Sequence, residues 1–495
     1  MRGKLLQNLS TIRQTVKYTE GQGRLYFSSS MNNYRIEYDS FGSIQIPQNR
    51  LWGPQTQRSI ENFDIGVTEK MPRQVIHALG LTKLAAVHVN MNAGKIPKDI
   101  GEAIAQASSE VMRGDHDGEF PLVVWQTGSG TQTNMNANEV IANRSLQILG
   151  KVCGMKNQIH PNDHVNMGQS SNDTFPTAMN ISAAIEVTSF LLPNLKYLAS
   201  AFEQCIEAFG SIVKIGRTHL QDATPLTLGQ EFGAFVCMIE NGIRRIELAL
   251  PQIFTLAQGA TAVGTGLNTY NGFAESFAEH VSRLTSLPFQ TSPNKFEALS
   301  SVGGITELSA ALSTTAADFL KIANDIRLLS SGPRCGLGEL ILPANEPGSS
   351  IMPGKVNPTQ CEALAMVCVE IIGNHTAVTV SCSHGHLQLN VFRPVIIYNV
   401  LRSIKLLGDA AKSFAEKCIR NIKPNKAVIQ KHLDNSLMLV TALTPFLGYD
   451  KCSKISQYAH EHNLTLEEAA VKLDYITSEM FHSLVKPSEM VKPNH

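Results

Sequence analysis

The loop 332–358 carries the residue types in this sequence that are best suited to chemistry. It is rich in Gly and Pro, and residues 348–358 read Gly-Ser-Ser-Ile-Met-Pro-Gly-Lys-Val-Asn-Pro, so it cannot be helical throughout. We predict that Asn357 is the N-cap of the next helix and that Pro358 is its first residue. Lys355 then lies beside the positive end of that helix, where unpaired N–H groups favour a bound anion.

Two hydroxyls, Ser349 and Ser350, belong to the same glycine-rich segment. If the segment is a mobile lid, one of these serines would cover a carboxylate that Lys355 and Asn357 hold. On Gly and Pro content alone, a plain surface connection is the simpler interpretation, since most loops only join elements. The neighbouring cation and helix start favour the lid.

Three further polar clusters and one short turn have side chains able to bind a small acid. Hydroxyls, amides and glycines are concentrated at 126–139, 168–176 and 216–225. Taken alone, the first two are typical of helix caps, and a single His in a loop is usually a surface residue. The candidate binding residues in the clusters are Ser129, Gly130, Thr131, Ser170, Ser171, Asn172, Thr218 and His219. The short turn is His160, Pro161, Asn162 and Asp163, for which a purely structural role is equally plausible.

Long helices are predicted to position these clusters. Apolar residues recur three or four positions apart in five stretches, and strand-like alternation is scarce. Pro193 falls inside the first stretch and is expected to kink that helix without ending it. Helices of this length pack side by side in a bundle. The five stretches are 174–209, 228–250, 302–329, 359–382 and 391–418.

The predicted fold class is therefore all-α, with a central long-helix bundle between two smaller domains. Residues before about 164 suggest loops and short helices, and from 423 the helical pattern shortens to one amphipathic stretch at 464–480. The predicted boundaries are 31–170 for the N-terminal domain, 171–422 for the bundle and 423–495 for the C-terminal domain.

Composition limits the possible partners. The chain has 495 residues, 43% of them hydrophobic and 17% charged, as expected for a well-packed globular protein of several domains. Lys and Arg balance Asp and Glu at 42 each, which predicts neither a nucleic-acid nor a membrane partner. No apolar run is long enough to predict a membrane span. The nine cysteines show no metal-ligand spacing, so no metal or other cofactor is predicted.

The first 30 residues have the composition of a mitochondrial transit peptide. Basic residues are frequent, Glu20 is the sole acid, and Leu5, Leu6, Leu9 and Ile12 have helical spacing. Residues 1–30 are therefore predicted to direct the chain to the mitochondrial matrix and to be removed, with a cytosolic pool also possible. An ordinary disordered tail is the alternative.

The eleven residues 348–358 resemble the signature of the fumarase and aspartase superfamily, and the resemblance extends over nearly all of the chain after the transit peptide. The continuation Thr359-Gln-Cys-Glu362 is similar to the version found in class II fumarate hydratases. That family is implied, with reversible hydration of fumarate to L-malate in the tricarboxylic acid cycle as its activity. An aspartate ammonia-lyase is the alternative enzyme, and a catalytically silent relative, like the lens crystallins of this superfamily, is the alternative class.

The resemblance also implies roles for individual residues. Ser349 would be the base at C3, and His219, supported by Glu362, would bind the reacting water. The implied substrate-binding residues are Ser129, Gly130, Thr131, Ser170, Ser171, Asn172, Thr218, Ser350, Lys355, Val356 and Asn357. The implied second carboxylate site is His160, Pro161, Asn162 and Asp163.

Helix length supports an oligomer independently of the resemblance. Asn172 precedes and Thr218 follows a predicted helix of about 36 residues, whose ends are separated by about 50 Å at about 1.5 Å per residue. One C4 dicarboxylate cannot contact both ends in a single chain. The two segments must come from different subunits if both bind substrate, which agrees with the homotetramer with shared sites that the resemblance implies.

Overall fold

The computed structural model of this protein describes residues 34–493. The predicted transit peptide at 1–30 lies outside that range. About 62% of the chain is helical, and the strands are short, which confirms the all-α prediction. The predicted domain boundaries remain predictions.

The N-terminal part contains a strand hairpin and longer helices than the sequence indicated. The hairpin pairs Tyr34 with Pro47, and one of the helices has 20 residues and another 18. The prediction of loops and short helices was wrong here, because these two helices are buried on nearly all sides and show no clear apolar stripe. The elements are β1 Tyr34–Asp39, β2 Gly42–Pro47, α1 Pro54–Asn62, α2 Arg73–Asn92, α3 Lys98–Arg113 and α4 Thr131–Ile148.

Long helices form the bundle as predicted. The first runs without a break from Ser171 to Phe209, and a π-helical turn at Val187–Leu191 accommodates Pro193. The bundle elements are α5 Ser171–Glu186, α6 Leu192–Phe209, α7 Leu228–Ile253, α8 Phe273–Thr285, α9 Lys295–Ser300, α10 Gly303–Leu329, α11 Thr359–Cys382 and α12 Arg393–Lys417. Short strands connect them: β3 Val213–Thr218, β4 Gln221–Thr227, β5 Thr255–Leu256, β6 Gln290–Thr291, β7 Leu340–Ile341, β8 Gly385–His386 and β9 Leu389–Asn390.

Helices α11 and α12 run in opposite directions, so the two ends of the bundle carry different loops. Helix α6 packs on α7, α7 on α10, α10 on α11, and α12 on both α11 and α6. The start of α11 contacts the end of α12, where Ser413 donates to Gln360 at 2.8 Å. Ser171 and Arg393 therefore lie at one end of the bundle, and the loop before Thr359 lies at the other.

The C-terminal helices pack around a smaller core of their own, which includes Ile215 of β3. The predicted stretch 464–480 is not one helix, since α16 ends at Lys472 and α17 begins at Ser478, where Thr477 caps it. The elements are β10 Lys423–Pro424, α13 Lys426–Asn435, α14 Thr444–Leu447, α15 Tyr449–His462, α16 Leu466–Lys472 and α17 Ser478–Leu484. Strand β10 pairs with β7, which ties this region to the loop 332–358.

Helix α11 exposes an apolar face. Met366 and Val369 are 69% and 60% exposed, and Val380 is 55% exposed. By length and composition alone, α11 and the continuous helix Ser171–Phe209 would each be long and apolar enough to cross a membrane. Bundle cores meet the same criterion, and 67% of the apolar window in Ser171–Phe209 is buried in the bundle, against 28% for α11.

Candidate active site

The Ser349 hydroxyl is held by the backbone of its own loop. Its Oγ accepts hydrogen bonds from the N–H groups of Ile351 at 3.2 Å and Met352 at 2.9 Å. Two N–H donors aimed at one oxygen stabilise negative charge on it more than they stabilise a neutral hydroxyl. The loop therefore favours deprotonation of Ser349.

Asn357 stabilises the loop and does not cap the helix. Helix α11 begins at Thr359 with Pro358 at the N-cap position, so the prediction of Asn357 as N-cap and Pro358 as first helical residue was wrong. The Asn357 amide instead donates to the Gly348 carbonyl, and the Gly348 N–H donates to the Lys355 carbonyl at 3.0 Å. These contacts close the loop on itself at the helix start. Lys355, Val356 and Ser350 remain exposed on it.

His219 lies at the tip of the β3–β4 hairpin. His219 and Leu220 have φ values of 57° and 61° between the paired residues Thr218 and Gln221. Two consecutive positive φ values are the backbone of a tight two-residue hairpin turn. Both Thr218 and His219 are exposed, so the hairpin presents them away from its own chain.

A buried carboxylate, which sequence reasoning missed, anchors this hairpin. Glu339 lies ten positions before Ser349, is 1% exposed, and accepts from Arg217 at 2.7 Å; its second oxygen lies 3.1 Å from the Lys214 ammonium. Burial would raise the pKa of Glu339, but hydrogen bonds and charge from Arg217, Lys214 and His432 lower it overall. One carboxylate thus joins the hairpin, the base of the loop and α13.

The opposite end of the bundle brings two predicted segments together. Helix α4 begins after Gly130, and the Ser129 and Thr131 hydroxyls lie 2.8 Å apart. Ser170 caps α5, its N–H donates to Asp173 at 2.9 Å, and Ser171 and Asn172 form the first turn. Hydroxyl groups and free helix N–H groups therefore converge where a carboxylate would be favoured.

Arg393, also missed from the sequence, joins these two segments. It is fully buried, its N–H donates to Gly128 O at 3.0 Å, and its guanidinium donates to Asn172 O at 2.6 Å. Burial lowers its pKa to about 9, which the Asp173 charge opposes. The chain passes so close to Gly128 that a Cβ there would lie 1.3 Å from Val391 O. Only glycine fits at that position.

The two ends do not meet within one chain. The continuous helix Ser171–Phe209 has 39 residues, which corresponds to roughly 58 Å. Among the described residues, Glu362 and His219 are both exposed and form no hydrogen bond to each other. The geometry thus separates the Ser129–Thr131 and Ser170–Asn172 segments from the Thr218–His219 hairpin.

Comparison with known proteins places this chain in a family. It matches the model of a lyase family over residues 42–373 and that of the fumarase C C-terminus over residues 439–492. It is 58% identical to the mitochondrial fumarate hydratase of Homo sapiens over 466 residues, covering 94% of this chain and 91% of that protein. It is 55% identical to fumarate hydratase class II 2 of Bradyrhizobium diazoefficiens, covering 93% and 97%. The chain belongs to the class II fumarate hydratase family.

A solved class II fumarase has the same architecture. The crystal structure of the Schistosoma mansoni enzyme superimposes with a TM-score of 0.91 at 45% identity, over 93% of this chain and 100% of that one. The family assignment agrees with the signature at 348–358. The family resemblance drawn from the sequence is thereby confirmed.

The predicted second carboxylate site of this fumarase-family chain is a short π-helical turn, Pro161–Val165. The His160 ring nitrogen accepts from the N–H groups of Asn162 and Asp163, both at 3.2 Å, so it is used as a cap. A cavity of about 480 Å³ extends from Asn162 and Asp163 to Ser170. Its role in binding stays a prediction.

Among residues 34–493, no group of three or more His, Cys, Asp or Glu side chains is placed to hold a metal ion. The nine cysteines are all free thiols.

Proposed function

We propose that this chain catalyses the reversible hydration of fumarate to L-malate. The observation that carries the proposal is the Ser349 hydroxyl, which accepts two backbone N–H groups in a loop that also presents Lys355. Membership of the class II fumarate hydratase family supports it. No cofactor is required, because the step is a proton transfer combined with addition or loss of water.

In the malate-to-fumarate direction, Ser349 acts as the base. Its deprotonated oxygen takes a proton from C3, and the electron pair of the C–H bond moves into the adjacent carboxylate to give an aci-carboxylate. The C–H bond is very weakly acidic, so the extra charge must be stabilised strongly. Lys355, Asn357 and the start of α11 supply that stabilisation. Loss of hydroxide from C2, protonated as it leaves, then gives fumarate and water.

His219 receives the leaving hydroxyl in this direction and activates water in the other. Glu362 of a neighbouring subunit holds the imidazole and raises its basicity. Both side chains are exposed in a single chain, which leaves them free to meet across an interface. The substrate carboxylates are bound by the remaining residues of the site: Ser129, Gly130, Thr131, Ser170, Ser171, Asn172, Thr218, Ser350 and Val356.

A homotetramer completes the site. The two ends of the bundle carry different parts of it, and only other copies of the chain can bring them together. The exposed apolar side chains of α11 would be buried in such an assembly, which offers a better account of them than a membrane does. The balanced net charge gives no reason to expect nucleic acid.

A mitochondrial location is proposed from two observations. The relatives from Homo sapiens and Rhizopus oryzae are named mitochondrial, and residues 1–30 have the composition of a transit peptide. We place the mature enzyme in the matrix, with a cytosolic pool as a further possibility.

An absorbance assay tests the activity directly. Purified protein is incubated with L-malate and, separately, with L-aspartate, and fumarate is followed in the ultraviolet. We expect fumarate from L-malate only. Fumarate from L-aspartate would identify an ammonia-lyase, and no fumarate from either would indicate a silent relative.

Lys355→Ala is expected to weaken the binding of substrate and of competitive dicarboxylates together. Removal of one partner of a hydrogen-bonded charge pair costs about 2–5 kcal/mol, so KM and the inhibition constant should rise by about thirtyfold or more. Lys472→Ala, on the exposed face of α16, is the matched control. An unchanged inhibition constant in Lys355→Ala would remove Lys355 from the binding site.

A further inference from the structure

Lys83 is an ammonium group in the interior of the protein. It lies on α2, is fully buried, and donates to two amide oxygens, Asn166 Oδ1 at 2.7 Å and Gln169 Oε1 at 2.9 Å. Among residues 34–493, its side-chain partners are these two amides and no carboxylate. Burial of an ammonium without an ion pair is costly, so a structural role alone gives little reason to keep the charge there.

We infer that Lys83 is a positioning residue for the substrate carboxylate at Ser171 and Asn172, acting through Asn166 and Asn134. The inference deepens the proposed function and rests on it. The Lys83 ammonium holds the segment before α5 in place, fixes the Ser171 hydroxyl as an outward hydrogen-bond donor, and adds positive charge behind it.

Lys83 holds the segment of chain that leads into α5. Asn166 also donates to Gln169 O at 3.2 Å, and the Gln169 amide donates to Val165 O and Met167 O at 3.1 and 3.3 Å. Because the amide nitrogens are occupied by carbonyls, both side-chain oxygens face the ammonium. The Lys83 contacts therefore set the conformation of the residues that lead into Ser170.

The Asn134 amide determines the direction of the Ser171 hydroxyl proton. Asn134 on α4 is fully buried, and its amide nitrogen donates to Ser171 Oγ at 2.9 Å and more weakly to Asn166 Oδ1 at 3.4 Å. An amide NH₂ only donates, so Ser171 must accept from it, and its own O–H is left to donate elsewhere. A bound carboxylate is the acceptor that this arrangement favours.

Charged side chains lie in the interior behind the Ser171 and Asn172 segment. Asp173 is fully buried one position after Asn172, and its charge acts on three cations, Lys83, Lys295 and Arg393. Burial lowers the pKa of Lys83 to about 7, and Asp173 opposes that shift. Glu275, which is exposed, also acts on Lys295. Near neutral pH Lys83 is only partly protonated, so the positive charge behind the site comes mainly from Lys295 and Arg393, with a smaller part from Lys83, and it favours a bound dicarboxylate.

Two substitutions test the inference. Lys83→Met removes the charge at similar length. Asn134→Asp keeps the shape but replaces the amide donor by a carboxylate, which would accept the Ser171 proton and turn it away from the substrate. The carboxylate would also lie near Lys83, whose positive charge offsets part of the cost of burying it. Lys98→Met, at an exposed position on α3, is the control.

The readouts are the affinity for succinate, measured by calorimetry, and steady-state kinetics with L-malate on the intact tetramer. In both variants we expect the succinate affinity to fall and the KM for L-malate to rise by about tenfold or more, while kcat changes by less than about threefold. A folded Lys83→Met or Asn134→Asp variant with wild-type succinate affinity would overturn the inference. If Lys83→Met does not fold, Asn134→Asp decides alone. Absence of malate turnover in the wild type would instead contradict the proposed function.

Discussion

Ser349→Ala should lower kcat for L-malate by about 10²- to 10⁴-fold, the range that a positioned general base contributes. The hydroxyl is half-buried, and the donors Ile351 and Met352 lie in an exposed loop where water can replace it. The loop should therefore keep its conformation, and binding of a dicarboxylate inhibitor should change little. Steady-state kinetics in both directions, together with the inhibition constant, measure the two effects.

Thr477→Ala is the matched control for this substitution. It also deletes a hydroxyl that accepts a backbone N–H, that of Met480 at 3.3 Å, but it lies in the C-terminal region. Its turnover should equal that of the wild type. If Ser349→Ala keeps kcat within about threefold of the wild-type value, Ser349 only closes the loop and another group is the base.

The long helices of the bundle were predictable because each buries one face. Their apolar residues recur at helical spacing, and even the passage of the first helix through Pro193 was predicted correctly. Helices α2 and α4 were missed because burial on all sides removes that spacing: α4 buries Asn134, Asn136 and Asn138 where a stripe would have apolar residues. The β3–β4 hairpin was missed because its turn, His219-Leu220, has no Gly or Asn.

Candidate-site residues could be predicted where they belong to a motif that is visible in the sequence. They could not be predicted where only their burial distinguishes them. Ser349, Lys355 and His219 belong to polar clusters that are visible in the sequence. Lys83 and Arg393 look like ordinary cations until the structure shows them fully buried. A signal existed for Lys83, since it is the one charged residue between Val75 and Val89, a stretch that is otherwise mostly apolar. The sequence cannot show that its partners are the amides before α5.

His219→Asn should also lower kcat by about 10²- to 10⁴-fold, since it removes the group that accepts or delivers the C2 hydroxyl proton. Asn is compatible with the positive φ of 57° at this hairpin tip, so the turn should be preserved. His482→Asn, at an exposed position on α17, controls for loss of an imidazole. Turnover near the wild-type value in His219→Asn would remove this residue from the mechanism.

The same variant tests how many chains build one site. His219 and Ser171 lie at opposite ends of a bundle whose helix Ser171–Phe209 spans roughly 58 Å. Mixed tetramers can be made from chains that carry His219→Asn and chains that carry Ser171→Ala. If each site takes these two residues from different subunits, some sites in such a tetramer have both residues wild type. About a quarter to a third of the sites in a mixed tetramer should then be intact, depending on whether the two variants are present in a 1:3 or a 2:2 ratio. If both residues came from one chain, no mixed tetramer would contain an intact site. Co-expression with two affinity tags isolates the mixed tetramers, and their kcat/KM for L-malate per chain, which both substitutions lower, separates the two arrangements.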